Sequence, residues 1–285
     1  MVKDQIKIKV YVVSSFCKNN SGGNLAGVVL WEEELNDKQK IAIASKLGYS
    51  ETAFVTKSNI ADFKLEYFTP AEEVPLCGHA TIATFSLMQH LGMLDQLAYT
   101  FEAKAGVLEI FIDDGKIFME QSKPKYLEMI DKSELATSFD INSISDRYPI
   151  QIVSTGLPDM LVPIKDEQML ADLAPNFSEI TQISQKYDIV GIHAFVLEEN
   201  RIICRNFAPL FDIPEESATG TANCALVSYL FKHDIKREEE YSIEQGYSLN
   251  LPSEITVRIT CDKDEISRIF VGGYGSFVEE KEIIL

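Results

Sequence analysis

The sequence predicts an α+β protein made of two similar halves, each a set of short strands around one central helix. Three observations support this prediction. A pattern of the form F-x-P-x-x-x-[VI]-P occurs twice, at residues 68–75 and 207–214. Each copy is followed by a glycine and a stretch of small and apolar residues of helical length. The other segments are short apolar or alternating runs between turn residues, which are typical of strands. Such a repeat indicates a duplicated unit of about half the chain.

Length, composition and charge limit the classes of function. The chain has 285 residues, enough for two domains that each bury a core. Its 46% apolar and 25% charged residues are typical of a globular protein. The formal net charge of −18 argues against a nucleic-acid surface, which would carry clustered lysine and arginine. A local anion site stays compatible with that charge, because a helix N-terminus supplies positive potential whatever the net charge.

The cysteines and the apolar runs indicate the compartment. No apolar run is long enough to span a membrane, and the N-terminal residues lack the pattern of a secretory signal. The five cysteines are scattered and form no C-x-x-C motif. Free thiols in a reducing cytoplasm fit this arrangement better than a disulfide framework or a zinc site. We therefore expect a cytoplasmic protein with no membrane partner, no nucleic-acid partner and no metal.

The first half is expected to span residues 1–122, with a domain boundary at Lys123-Pro124. Helices are predicted at 37–48, ending at Gly48, and from Cys77-Gly78-His79 onward. Asp114-Gly115 reads as a hairpin turn. The predicted strands are 6–13, 26–31, 50–55, 63–67, 98–101, 107–112 and 116–120.

The second half is expected to span 123–285. Helices are predicted near 179–186 and at 221–232, and the glycine-rich run 272–275 reads as a turn. The polar stretch 131–146 supports no firm prediction. The last residues, about 277–285, are expected to pack back on the first half. The predicted strands are 150–155, 161–164, 191–197, 201–207, 241–244, 254–262 and 265–272.

The start of the first central helix is a candidate binding site. Gly78 has no Cβ, so a ligand can approach the backbone there. The first helical N–H groups have no partner within the helix and carry the positive end of its dipole, which suits a carboxylate or a phosphate. Cys77-Gly78 corresponds to Thr219-Gly220 in the second half. The duplication therefore predicts an active site in a cleft between two halves whose helix N-termini face each other.

The sequence resembles the PhzF-like proteins of phenazine biosynthesis, which share the fold of diaminopimelate epimerase. The resemblance runs in order through most of the chain and is carried by 16–29, 50–54, 68–81, 154–156 and 205–225. It implies two pseudo-symmetric domains, each a strand barrel around a central helix. Family members are commonly cytoplasmic homodimers that need no cofactor. The best-understood members isomerise a hydroxylated cyclohexadiene amino acid by moving a proton along the diene.

The resemblance also implies roles for individual residues. Glu51 matches the family's catalytic carboxylate, and His79 matches its polar partner. Glu216 stands where the family usually has aspartate, and it completes the expected catalytic set. Because its side chain is longer, the substrate of the diene isomerases is not expected to carry over unchanged. The residues expected to bind substrate are Asn24, Gly78, Gly220 and Thr221, the last of which replaces the usual serine.

Glu51 is the expected proton carrier. Moving a proton between two carbons on one face needs a single group that accepts it and later donates it. A carboxyl group does this well if burial raises its pKa toward neutrality. From the residues alone, Glu51 and Glu216 would be solvated carboxylates, and His79 would be either a donor or a hydrogen-bond partner at the helix start. The resemblance favours catalysis by Glu51 on a small anionic substrate.

Two alternatives stay open. Diaminopimelate epimerase and proline racemase use two thiols, one from each half. Cys77 occupies the first thiol position, but Thr219 occupies the second, and its hydroxyl is far too weak an acid. The first alternative is therefore a one-thiol epimerase or racemase that uses Cys77, although a packed residue is the simpler interpretation. The second is a non-catalytic binder, suggested by Leu25, Glu216 and Asn223, where the family usually has proline and aspartate and often has histidine.

Overall fold

The computed structural model describes residues 6–30 and 35–285. The chain divides into two compact units. One unit comprises the residues up to Met119 together with Gly272–Leu285, and the other comprises Glu120–Val271. The observed boundary thus lies slightly before the expected residue 122. The chain rejoins the first unit at Gly272, earlier than the expected residue 277.

The secondary structure consists mostly of strands. The helices are α1 (Asp37–Leu47), α2 (Gly78–His90), α3 (Glu167–Ala171), α4 (Phe177–Tyr187) and α5 (Gly220–Lys232). The strands are β1 (Lys7–Ser15), β2 (Asn24–Leu30), β3 (Thr52–Thr56), β4 (Phe63–Phe68), β5 (Glu73–Val74), β6 (Ala98–Ala103), β7 (Gly106–Asp113), β8 (Lys116–Gln121), β9 (Lys125–Ile130), β10 (Ile150–Ser154), β11 (Pro158–Pro163), β12 (Gly191–Leu197), β13 (Ile202–Ala208), β14 (Ile213–Glu216), β15 (Glu240–Gln245), β16 (Ser253–Asp262), β17 (Glu265–Gly273) and β18 (Gly275–Ile284). No helix of the described ranges has both the length and the apolar character that crossing a bilayer requires.

The first unit is a mixed sheet packed on α2. Strand β1 is antiparallel to β18 and β2, β2 is parallel to β3, and β3 is antiparallel to β4. Strand β4 is parallel to β6, which is antiparallel to β7. Helix α2 packs against β1, β2, β3 and β18. Its residues from His79 to Met88 are all buried, because small and apolar side chains surround it on every side.

The second unit repeats this connectivity. Strand β10 is antiparallel to β11, β11 is parallel to β12, and β12 is antiparallel to β13. Strand β13 is parallel to β15, which is antiparallel to β16. Helix α5 packs on β10, β11 and β16. The same order of antiparallel and parallel pairs in both units confirms the α+β fold with two pseudo-symmetric domains.

The glycine-rich run near residue 274 was misread as a turn. Strand β17 continues to Gly273 and β18 begins at Gly275, which lies opposite Ser15 of β1. The glycines allow close packing instead. A Cβ on Gly272 would lie 2.3 Å from Cδ1 of Phe118, and one on Gly275 would lie 2.3 Å from Oγ of Ser86. Glycine is therefore needed at these positions for space and not for backbone freedom.

Other sequence predictions hold or shift by a few residues. Asp114 and Gly115 have φ angles of 49° and 76°, as the hairpin turn requires. Helix α3 and the strands β5, β9, β14 and β18 were not predicted, and β11 begins earlier than residue 161. The unassigned stretch 131–146 contains two short 3-10 helices, Lys132–Leu135 and Ile141–Ser143. Trp31, the predicted end of the second strand, lies outside the described residues.

Replacing Gly191 with alanine should destabilise the protein by about 1–3 kcal/mol, the usual cost of forcing extra atoms into a packed core. A Cβ there would lie 2.0 Å from the carbonyl oxygen of Phe207, on the neighbouring strand β13. Urea unfolding measures the loss. Gly78→Ala is the control, since the one described atom outside its own helix backbone that its Cβ would meet within 4 Å is Cε of Met119, at 3.6 Å. Equal stability of the two variants would contradict the prediction.

Candidate functional site

The first unit brings three chemically active side chains together at the start of α2. Glu51 immediately precedes β3, Cys77 is the N-cap residue of α2, and His79 is the second residue of that helix. One ligand atom from each of the three lies within 4.8 Å of the other two. Nε2 of His79 is 3.3 Å from Oε2 of Glu51. Sγ of Cys77 is 3.5 Å from Nδ1 and 3.9 Å from Nε2 of His79.

Glu51 is held in this group by its backbone, and its carboxylate is largely removed from water. Its carbonyl oxygen accepts a hydrogen bond from the N–H of Gly27, at 3.3 Å, beside the parallel pair β2 and β3. The Glu51 side chain is 18% exposed and that of His79 is 8% exposed. Oε2 of Glu51 is buried and accepts no hydrogen bond from any described residue. Because a buried oxygen without a donor is costly, this atom is available for a proton or a ligand.

Gly78 leaves the start of α2 uncrowded. Met119 contributes the only heavy atom among the described residues that a Cβ on Gly78 would meet within 4 Å. Packing around the helix therefore does not require glycine at position 78, whereas packing between strands does require it at position 191. An accessible backbone at the helix N-terminus fits the binding of an anionic group.

Asn24 lies at the start of β2, next to the tight turn that follows β1. It is buried, and its carbonyl oxygen accepts a hydrogen bond from Oγ of Ser15, at 3.2 Å. Leu25, in the position where the resemblance predicts proline, forms part of β2 opposite Ser14. The backbone of this segment is thus fixed by the β1–β2 pair.

In the second unit, Glu216 is held at the start of α5. Its carboxylate accepts a hydrogen bond from Oγ1 of Thr219, the N-cap residue, at 2.5 Å. Gln245 secures this arrangement, since its Nε2 donates to the carbonyl oxygen of Glu216 at 2.8 Å and its Oε1 accepts from the Thr219 N–H at 3.2 Å. The interpretation of Glu216 as a freely solvated charge is therefore wrong. Gln245 was not predicted as a site residue, because it lies at the end of a strand with no motif around it.

The remaining predicted residues of this unit lie in the first turns of α5. Gly220 begins the helix, and the carbonyl oxygen of Thr221 accepts a hydrogen bond from Oγ1 of Thr155 at 3.0 Å. Asn223 is fully buried and donates to the carbonyl oxygen of Thr219 at 2.7 Å. Its amide supports the helix start from within the core. An asparagine at this position therefore does not by itself indicate lost chemistry.

Asp159, whose carboxyl group lies in the core of the second unit, was not predicted as a functional residue either. Asp159 is 1% exposed. Burial, together with the negative charge of Glu216, raises its pKa to about 8, against a lowering contribution from a hydrogen bond with Asn206. Burial lowers the pKa of the neighbouring His193 to about 4. Nδ1 of His193 lies 3.2 Å from the amide nitrogen of Asn206. The sequence signal that could have indicated this buried carboxyl group is an aspartate at the start of an apolar strand, Asp159-Met-Leu-Val.

The raised pKa of Asp159 predicts that stability falls as pH rises. Between about pH 4 and 8 the folded protein keeps a proton on this carboxyl group that the unfolded chain has lost. The free energy of unfolding should therefore decrease with pH by up to about 1.4 kcal/mol per unit from this group. Asp159→Asn removes this contribution. In urea unfolding from pH 5 to 8, the free energy of unfolding of the variant should therefore rise relative to that of the wild type as pH increases.

The comparison isolates Asp159 from other titrating groups. His193 acts in the opposite direction between about pH 4 and 6.5, but it is present in both proteins. Asp131→Asn serves as a control, because hydrogen bonds from Ser133 lower the pKa of Asp131 and keep it ionised throughout this range. Its stability difference from the wild type should be constant with pH. Parallel curves for Asp159→Asn and the wild type would contradict the prediction.

Comparison with known proteins gives a consistent family. The family model of the phenazine biosynthesis-like proteins, PhzC-PhzF, matches residues 13–281. A protein of Clostridium acetobutylicum described as an uncharacterized isomerase is 32% identical over 98% of this chain and 99% of its own length. The uncharacterized isomerase YddE of Escherichia coli is 30% identical over 94% of this chain and 95% of its own.

Solved structures agree with these relatives. The PhzF family phenazine biosynthesis protein of Bacillus anthracis has a TM-score of 0.90 at 29% identity and covers 98% of this chain and 100% of its own. A hydroxyproline epimerase of Agrobacterium vitis, at 13% identity and a TM-score of 0.61, covers 98% of this chain and 93% of its own and shows the shared fold alone. The family match and the isomerase relatives, each spanning nearly the whole chain, place this chain in the phenazine biosynthesis-like PhzC-PhzF family as an isomerase.

Proposed function

We propose that this isomerase moves a proton within a small carboxylate-bearing substrate, without a cofactor, and that Glu51 carries the proton. The observation that supports this most directly is the buried Oε2 of Glu51, which accepts no hydrogen bond from the described residues and lies 3.3 Å from Nε2 of His79. A general base needs an oxygen that is free to take a proton and is shielded from water. Glu51 meets both requirements.

The proposed reaction needs one carboxyl group and balances in protons. Ionised Glu51 removes a proton from one carbon of the substrate, and the resulting carboxylic acid returns that proton to another carbon on the same face. His79 stabilises the ionised carboxylate and orients it. The N–H groups at the start of α2, exposed by Gly78, bind the substrate carboxylate and reduce the cost of the negative charge that develops in the carbon framework.

The start of α5 has a related role in this proposal. Glu216 and Thr219 hold the first turn of the helix, so that the N–H groups at Gly220 and Thr221 are positioned to bind a polar group of the substrate. Glu216 is one methylene longer than the aspartate that the family usually carries. We therefore expect substrate selection to differ from that of the diene isomerases at this residue.

The proposed partner of the chain is a second copy of itself. Light scattering, which measures the mass of the particle in solution, tests this proposal.

A one-thiol epimerase remains a second candidate because of one specific contact. Sγ of Cys77 lies 3.5 Å from Nδ1 of His79, a distance at which the imidazole can accept the thiol proton. The second unit offers a hydroxyl, Thr219, at the corresponding helix position, and that hydroxyl is committed to Glu216. A thiol mechanism would therefore need Glu51 or His79 as its second group.

Proton exchange in D₂O, followed by NMR, tests the proposal. Purified protein is offered a panel of small amino acids and hydroxy acids that includes cyclic dienes. Deuterium should enter one compound in the presence of the wild type and not in the presence of Glu51→Gln. If Glu51→Gln exchanges as fast as the wild type while Cys77→Ala is inactive, the thiol mechanism replaces the carboxylate mechanism.

A further inference from the structure

We propose that Glu51, Cys77 and His79 together form a binding site for one divalent cation of the zinc type, and that the bound cation inhibits the isomerase. The inhibition rests on the proposed function, because the cation would occupy the carboxylate that carries the proton. The binding itself rests only on the three side chains and their geometry, all within the first unit.

The donor atoms already have nearly the spacing that zinc requires. In a tetrahedral site with Zn–N and Zn–O bonds near 2.0 Å and Zn–S bonds near 2.3 Å, neighbouring donor atoms lie about 3.3–3.6 Å apart. Oε2 of Glu51 and Nε2 of His79 are separated by 3.3 Å. Sγ of Cys77 lies 3.9 Å from Nε2 of His79 and within 4.8 Å of a carboxylate oxygen of Glu51, so rotation of the thiol toward the carboxylate would complete the set.

A second observation points to a ligand at the same place. Oε2 of Glu51 is buried and receives no hydrogen bond from the described residues. A cation at the centre of the three donors would satisfy this oxygen directly. Because this oxygen is already dehydrated in the folded protein, cation binding would not add the free-energy cost of dehydrating it.

The kind of donor selects the kind of metal. One sulfur, one imidazole nitrogen and one carboxylate oxygen form a mixed set that suits zinc, whereas magnesium and calcium prefer oxygen donors. Three protein ligands leave a fourth position for water, as in open zinc sites. Because Cys77 is the N-cap residue of a buried helix and His79 lies in its first turn, two of the three donors are held by a rigid element.

Zinc titration against a fluorescent zinc indicator measures the binding. The titration uses full-length protein carrying Cys261→Ser, because Cys261 is the exposed thiol among the described cysteines and would bind zinc unspecifically. We expect one zinc per chain, with an affinity that Cys77→Ser and Glu51→Gln each weaken at least about tenfold, since the loss of even an outer-shell partner costs about 10–100-fold in metal affinity. Magnesium in large excess should not compete. Cobalt(II) should give a thiolate charge-transfer absorption that disappears in Cys77→Ser.

The outcomes separate this inference from the proposed function. Absence of zinc binding, or equal affinity in the parent protein and both variants, overturns the site even if Glu51→Gln is inactive. Zinc that binds at the three residues while proton exchange continues undiminished removes the inhibition and also argues against Glu51 as the proton carrier. Circular dichroism checks that each variant is folded. If Cys77→Ser does not fold, the zinc affinity of Glu51→Gln and the cobalt spectrum of the parent protein test the site. Unchanged affinity together with no thiolate absorption would overturn it.

Discussion

Replacing Glu51 with glutamine should lower the rate of proton exchange by about 10²–10⁴-fold, the usual contribution of a general acid–base group. Glutamine has almost the same shape but does not take up a proton near neutral pH. NMR-detected deuterium incorporation into the compound that the wild type labels is the measurement. The change should appear in kcat more than in KM, because the carboxylate acts on the reacting carbon and not on the substrate's anionic end.

Two further variants make this test specific. Glu73→Gln is a matched control in the same unit, since Glu73 forms a partly exposed ion pair with Lys104 and should have no effect on exchange. Cys77→Ala should reduce exchange only modestly if the thiol merely packs beside the site. A loss in Cys77→Ala as large as that in Glu51→Gln would show that the thiol takes part in the proton transfer.

Replacing Arg205 with methionine should destabilise the protein by about 3–5 kcal/mol, the cost of removing one partner of a buried ion pair. Two nitrogens of Arg205 donate to the two carboxylate oxygens of Glu215, at 2.9 and 2.8 Å. The third nitrogen donates to the carbonyl oxygens of Leu170 and Leu173, at 3.0 and 2.9 Å, around the end of α3. The substitution removes the cationic partner of the Glu215 carboxylate, which keeps a hydrogen bond from Oγ of Ser248. It also removes the guanidinium donor from the carbonyl oxygens at the end of α3.

An exposed arginine of the same unit is the control. Arg268 binds Glu120 through two hydrogen bonds of 2.9 and 2.7 Å, so the local geometry matches that of Arg205 and Glu215. The Arg268 and Glu120 side chains are 51% and 36% exposed, and Arg268→Met should cost less than about 1 kcal/mol. Urea unfolding compares the two. Similar losses would show that burial does not set the cost of this contact.

Local sequence patterns were sufficient for the architecture. The repeated F-x-P motif predicted the duplication, and the apolar runs after Gly78 and Gly220 predicted two buried helices, because a helix without a polar face has to be surrounded. The run at 272–275 failed for a physical reason. Glycine permits turns, but it also permits close approach of a neighbouring side chain, and only the positions of Phe118 and Ser86 distinguish these cases.

The individual site residues were predicted, but the distances between them were not. Resemblance to the family suggested Glu51 and His79, while Cys77 was assigned mainly to packing. The structure places its thiol within 4 Å of the imidazole. Asp159 and Gln245 carried no motif, because their importance comes from burial and from partners distant in the chain.

By itself, the sequence determined most of the strands and the two central helices, because periodicity, turn residues and motifs are properties of neighbouring residues. The tertiary structure alone decided which side chains meet, which carboxyl group is buried and where a glycine is required for space. These properties depend on distances and on solvation, and both are created only when β3 and α2, or β13 and α3, pack together.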